Sequence, residues 1–172
     1  MMQRSIRQDY VYILLITLLF AAIHSGASAE GPWQLIQAKD GWGTIYLDTS
    51  ILHGDLDNQG KAAVLVVNTK TELSPFGAGV FTGFMQALQK KHPEQYPGVD
   101  FAKVHSINYT YKLNAAASSI ATEAIWFCDA AAKKIFQYPQ QKLEWKPIEP
   151  ESDEDLLAQA VLAIQADKDI KQ

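Results

Sequence analysis

From His105 to Leu113 the chain alternates almost without fault. His105, Ile107, Tyr109, Tyr111 and Leu113 fall on one side, and Ser106, Asn108, Thr110 and Lys112 on the other. In an extended chain successive side chains point to opposite faces, so this run predicts a strand with one packed and one wet face. The residues that follow supply its neighbours: Ser119 to Cys128, then Lys134 to Tyr138, then Leu143 to Ile148. Ile125-Trp126-Phe127-Cys128 is apolar on both faces, as in a central strand covered from both sides. Pro147 places the last strand at an edge, because proline has no amide hydrogen to donate to a ladder.

Upstream, Trp33–Gln37 and Thr44–Asp48 read as short strands around the turn Lys39-Asp40-Gly41, and valine-rich Ala62–Asn68 as a central strand. His53 to Gly60 reads as a polar connection. Asp55, Asp57, Gln59 and Gly60 imitate the start of a calcium loop, but its twelfth position is Val66 in place of the bidentate glutamate. Residues 69–104 break the strand pattern. Ser74-Pro75 with Gly77, Gly79 and Gly83 predicts a flexible lead-in to a helix over 81–91, with Phe81, Phe84, Met85 and Leu88 as its apolar stripe. Lys90 and Lys91 suit its last turn, and Pro93 stops it. A second helix is predicted over 153–165, capped by Ser152, with Asp155 three residues on and Leu156, Leu157, Ala160, Val161 and Ile164 facing inward. The fold class is therefore a single α+β domain, an antiparallel sheet of about six strands packed by these two helices.

Residues 1–29 have the pattern of a signal peptide. Arg4 and Arg7 precede the apolar run Val11 to Ile23, and Ala27-Ser28-Ala29 is a small-residue cleavage site. The run is 13 residues long, short of the ~20 that span a bilayer as a helix. An uncleaved N-terminal anchor is the competing reading. On the first reading residues 30–172 form the mature domain, exported to the periplasm or cell surface with no stable membrane span.

Losing Arg4, Arg7 and Asp9 moves the formal net charge from −4 to −5 and leaves no arginine. Phosphate and base-edge recognition lean on the arginine fork, so an acidic chain without it is not expected to bind nucleic acid. Phosphate-binding glycine loops are absent, as is a G-x-S-x-G elbow. His53, His92 and His105 have no metal-ligand spacing to another His, Cys or carboxylate. No catalytic, cofactor or metal site is expected. The lone Cys128 reads as a buried packing residue, with an interchain disulfide or a reactive thiol paired with His105 as alternatives. Asn108-Tyr109-Thr110 is a formal glycosylation sequon in mid-strand. Tyr109, Tyr111, Trp126, Phe127, Phe136, Tyr138 and Trp145 either pack the core or present a recognition face.

The order Trp33, G-T-I-Y-L-D-T-S-I (Gly43 to Ile51), Ser118-Ser119-Ile120, I-W-F-C-D and E-W-K-P-I-E-P-E-S before a final helix resembles the surface-adhesin protein E family of bacterial exported proteins. The resemblance implies a small antiparallel sheet packed by helices. It also implies a non-enzymatic protein that binds a host extracellular or other cell-surface protein. The family's second cysteine, after the last helix, has no counterpart, so Cys128 lacks that disulfide partner. Ser74 to Asp100 has no aligned equivalent. Within it Lys90, Lys91 and His92 are the candidate protein-binding residues. The alternative is a periplasmic small-molecule-binding or accessory domain, its ligand held between sheet and helix. Amino-terminal sequencing of the exported protein is expected to begin at Glu30; a chain still carrying Val11–Ile23 would establish the anchor.

Overall fold

The computed structural model describes residues 32–50, 53–56, 62–114, 116–139 and 142–169. The signal-peptide segment and residues 57–60 of the calcium-like stretch lie outside these. Among the described residues eight strands form one sheet: β1 (Trp33–Lys39), β2 (Gly43–Asp48), β3 (His53–Leu56), β4 (Ala62–Leu73), β5 (Ser106–Asn114), β6 (Ser119–Cys128), β7 (Lys134–Gln137) and β8 (Lys146–Pro147). Two α-helices among the described residues accompany the sheet, α1 (Pro75–Lys91) and α2 (Asp153–Asp169). The strands run β1-β2-β4-β5-β6-β7 across the sheet, every pair antiparallel.

The long strands β4, β5 and β6 occupy the middle, and two short strands lie end to end along each outer side of this trio. On β4, β3 pairs with the Ala62–Val66 end and β2 with the Thr69–Leu73 end. On β6, β8 pairs at Ser119 and Ile120, and β7 at Trp126 to Cys128. Proline in β8 therefore sits at an edge, as its missing amide requires.

Both helices lie on the same face of this sheet. Ile107 packs in the cluster around α1 and Leu113 in the cluster around α2, yet an even number of residues separates them along an uninterrupted register with β4. Leu73 against Leu65 and Val67 repeats the pattern on β4. The α2 cluster joins Leu47, Leu65, Val67, Leu113 and Ile120 to Leu157, Ala158 and Val161. The α1 cluster joins Leu73, Ile107 and Phe127 to Phe81 and Met85, with Tyr96, Phe101 and Val104 from the connection after the helix. Its rings meet edge to face, Phe81 on Phe127 at 5.0 Å and 84°, an arrangement worth ~0.5–1.5 kcal/mol beyond area burial. Among the described residues, no helix covers the opposite face. There Lys70 Nζ stands 4.9 Å from the Trp33 ring and 5.1 Å from that of Tyr46.

Several expectations change. Val67, Thr69, Thr71 and Leu73 continue one face of β4, so residues 69–73 extend the strand. His53–Leu56 is a strand. The final strand contracts to Lys146–Pro147, because only these residues pair with β6. Trp126 and Cys128 point to the face that carries no helix among the described residues; Cys128 is buried there beside Ser106 and Asn108, and Lys134 lies 5.2 Å from the half-buried Trp126 ring. Helix α1 starts at Pro75, six positions before the expected start at 81. Ser74 is its N-cap, its Oγ accepting from Gly77 N at 2.9 Å, and Pro75 supplies a preset helical φ at the first position. Gly77 packs against the Trp42 backbone so closely that a Cβ would collide with its carbonyl. The last helix starts as expected at Asp153 and reaches Asp169, past the expected end at 165. Asp155 N donates to Ser152 Oγ at 3.1 Å, while the Asp155 carboxylate accepts from Glu151 N at 3.0 Å. Phe101 is 1% exposed at the centre of the aromatic cluster. Phe101→Ala is expected to cost ~3–5 kcal/mol in denaturant unfolding, and a loss below about 1 kcal/mol would show that the cluster collapses around the gap.

Candidate binding surfaces

Because α1 and α2 cover opposite ends of one sheet face, a band of that face remains between them. Its floor is Thr69 and Thr71 on β4, Tyr109 and Tyr111 on β5, and Thr122 on β6. Tyr109 pairs with Thr69 and Tyr111 with Thr122 across the ladders. The two tyrosine rings stack, centroids 5.4 Å apart and planes 8° from parallel. They form a ridge; Tyr111 borders a cavity on either side, and Tyr109 only the larger one. One, of about 370 Å³, lies over Ile36, Gln37, Ile45, Thr69 and Thr71, walled by Trp42 and by Asp153, Glu154 and Leu157 of α2. The other, of about 330 Å³, lies over Ile120, Thr122 and Ile125, walled by Tyr138, Lys142, Glu144 and Lys146. Tyr111, Thr122 and Glu154 border both.

The floor is rich in hydroxyls at positions that elsewhere in the sheet hold core. Thr69 is 4% exposed and Thr71 8%. Burial pushes the Tyr109 phenol up; it does the same to Tyr111, with Tyr109, Glu154 and Asp153 adding to the effect. Both tyrosines therefore stay protonated and remain hydrogen-bond donors. Beneath the wall, Gln37 Oε1 is buried with no hydrogen-bond partner. On the rim Lys39 forms an ion pair with Asp153, and Glu123, which borders the smaller cavity, is paired by Lys112 of the opposite face at 3.0 Å.

A second surface is the outward side of α1. Phe81 and Met85 are buried, whereas Phe76, Val80 and Phe84 are 69%, 46% and 61% exposed. Spaced by four, these three make an apolar stripe continuous with exposed Gly83, Ala87 and Lys91. Phe84, expected in the inward stripe, thus belongs to the outward one: its i, i+3 neighbour Phe81 turns to the sheet and it does not.

Lys90 and Lys91 close α1 and are exposed; His92 caps it, its Nδ1 3.8 Å from Glu94 Oε1. The connection to Asp100 is held down. Gln89 Nε2 donates to Tyr96 O at 2.8 Å and to Val99 O at 3.1 Å, and Tyr96 is buried. Cys128 is buried, its thiol pushed up by burial and then by Asp129, against the opposing effect of Lys134. His105, expected to open β5, precedes it with an exposed side chain and reaches Cys128 through its backbone, His105 N donating to Cys128 O at 2.8 Å. Ser118 and Ser119 lie at the far end of the β5–β6 hairpin from His105. Asn108 is 6% exposed, its Nδ2 donating to Ser106 Oγ at 3.3 Å, which withdraws the sequon from the surface. The aromatics divide: Phe127, Phe136 and Tyr138 pack with the α1 cluster, Tyr109 and Tyr111 form the ridge, and Trp145 is 45% exposed. Thr69 and Thr71 escaped the sequence reading because β4 was ended at Asn68, although the Val67-Thr69-Thr71-Leu73 alternation carries the signal.

No protein-family model and no curated protein matches the chain. Among solved structures it is similar to protein E of Haemophilus influenzae. A crystal structure of protein E from a non-typeable strain is 16% identical, over 74% of this chain and 78% of that one, with a TM-score of 0.43. A second crystal form is also 16% identical, over 80% and 97%, with a TM-score of 0.43. A selenomethionine form is 14% identical, over 74% and 90%, with a TM-score of 0.44.

The Thr69 and Thr71 side chains border the cavity and hold no hydrogen bond to another described residue, so their hydroxyls add no hydrogen-bond stability to the fold. Thr69→Val and Thr71→Val, which keep shape and strand propensity, are therefore expected to melt at or above the parent temperature in calorimetry. A fall of several degrees would mean that the hydroxyls stabilise the fold. In thiol labelling at neutral pH, Cys128 is expected to stay unmodified until denaturant is added; rapid labelling of the folded chain would restore the reactive-thiol reading.

Proposed function

We propose that residues 30–172 form an exported, non-enzymatic domain, like the surface-adhesin E family in kind, that binds another protein through the outward side of α1. The observation that carries this reading is the exposed stripe of Phe76, Val80 and Phe84 ending in Lys90 and Lys91. Contiguous exposed apolar surface with a polar rim marks interaction sites in soluble proteins. Gly79 and Gly83 support it, since nothing lies within 4 Å of where their Cβ atoms would stand. Each glycine costs a helix ~1 kcal/mol relative to alanine, and close approach of a partner backbone explains residues that the domain itself does not need. The paired lysines fit a partner with an apolar surface rimmed by carboxylates, such as a host extracellular or other cell-surface protein. His92, turned toward Glu94, is a lesser contributor.

The test combines place and contact. Surface proteolysis of intact cells, followed by fractionation, is expected to reach the domain at the cell surface; confinement to the periplasm would end the host-contact reading. Against a panel of immobilised extracellular-matrix and serum proteins, Phe84→Asp is expected to abolish capture and Lys90→Glu with Lys91→Glu to reduce it several-fold. Gly83→Ala is expected to stabilise the domain by ~1 kcal/mol while weakening capture. Capture unchanged in all of these variants would remove α1 as the site. The two cavities favour a second reading from a different class, a periplasmic small-molecule-binding domain.

A further inference from the structure

We propose that the band between α1 and α2 binds a neutral saccharide that straddles Tyr111, with one sugar ring in each of the two flanking cavities. This rests on the small-molecule reading and is independent of the α1 surface.

The argument begins with Thr69 and Thr71. They stand in mid-strand, more than nine-tenths buried, on the face that holds Val67 and Leu73. Both border the larger cavity, and neither side chain hydrogen-bonds to another described residue. Thr122 and Tyr111 add hydroxyls where the two cavities meet. A hydroxyl both donates and accepts, and a surface built of hydroxyls is matched by a ligand built of hydroxyls. An apolar ligand would leave them desolvated and unpaired, which is unfavourable. A strongly charged ligand lacks a counter-field. Lys39 and Asp153 neutralise each other on one rim; around the other cavity Glu123 is paired by Lys112, and Lys142 and Lys146 stand against Glu144 and Glu154.

Aromatic side chains supply the rest. Trp42 borders the larger cavity, Tyr138 the smaller and Tyr111 both. Each is half-buried, so each joins an apolar body to a polar tip. The C–H face of a pyranose is apolar and its edge polar, which is the complementary arrangement. Tyr111 borders both cavities together with Thr122 and Glu154, and of the three it alone offers a ring to a ligand that fills both.

The test titrates the full exported chain with four probes while recording amide shifts and tryptophan fluorescence. N-acetyllactosamine-type trisaccharide represents a host glycan, and triacetylchitotriose an envelope glycan. A heparin tetrasaccharide and spermidine are the charged probes. Saturable shifts at Thr69, Thr71, Tyr111 and Thr122 with either neutral probe are expected, and which one binds assigns the source. Thr71→Val and Tyr111→Phe are expected to weaken that binding about tenfold, the loss of one good hydrogen bond, while melting no lower than the parent. Phe84→Asp should bind as the parent does. The proposal is overturned if no neutral probe saturates, if the shifts lie outside the band, or if both hydroxyl-deleting variants bind unchanged. Shifts at these amides with a charged probe alone would overturn the saccharide and leave the small-molecule reading standing. No shift with any probe would remove both.

Discussion

The whole arrangement depends on one-sided packing of a sheet longer than either helix that covers it. Alternation along β4 and β5 commits Leu65, Val67, Leu113 and Ile107 to a single face, and burying that face drives the fold. Neither helix reaches across it. Helix α2 covers the Leu113 end and α1, with its aromatic connection, the Ile107 end. The uncovered middle changes composition accordingly, from leucine and valine to threonine and tyrosine.

Splitting the edge strands serves the same layout. β2 and β3 share the outer side of β4, and β7 and β8 that of β6, so the long strands are paired along most of their length although the outer pieces are short. Short pieces leave little continuous edge to recruit another chain. Pairing with β6 at Lys146 and Pro147 also sets the chain's direction into α2, and Ser152 then caps the helix with its first turn beside the cavity. Asp153, through its ion pair with Lys39, ties that turn to β1.

Residues that depart from local rules collect at the two candidate surfaces. Threonines that border the cavity, a buried Gln37 oxygen without a partner and stacked tyrosines lie in the band between the helices. Exposed phenylalanines and helix-interior glycines lie on α1. Elsewhere the polar groups are matched: Asp129 ties its own turn through the amides of Ala131 and Lys133 at 2.9 Å, and Asn114 does the same for Ser118 and Ser119 at 2.8 and 3.0 Å. In a chain otherwise consistent from propensity to packing, such departures are where binding is to be sought.

The sequence by itself determined the α+β class, the strands of the β5–β6 hairpin, the edge position of Pro147 and the start of the last helix. Each of these follows from a local rule, namely alternation, a missing amide or a capping side chain. The α1 start at Ser74-Pro75 was equally local, but three glycines obscured it. What only the tertiary structure decided is which side of an element faces what. Period and spacing leave Phe81 and Phe84 equivalent on α1, and only docking onto Phe127 turns one inward and the other to solvent. The apolar Ile125–Cys128 run has the same ambiguity, and docking resolves it: Phe127 meets the α1 cluster while Trp126 lies on the other face beside Lys134. The groove is a property of two helices ending short of one another, a distance between elements remote in sequence that no local pattern encodes.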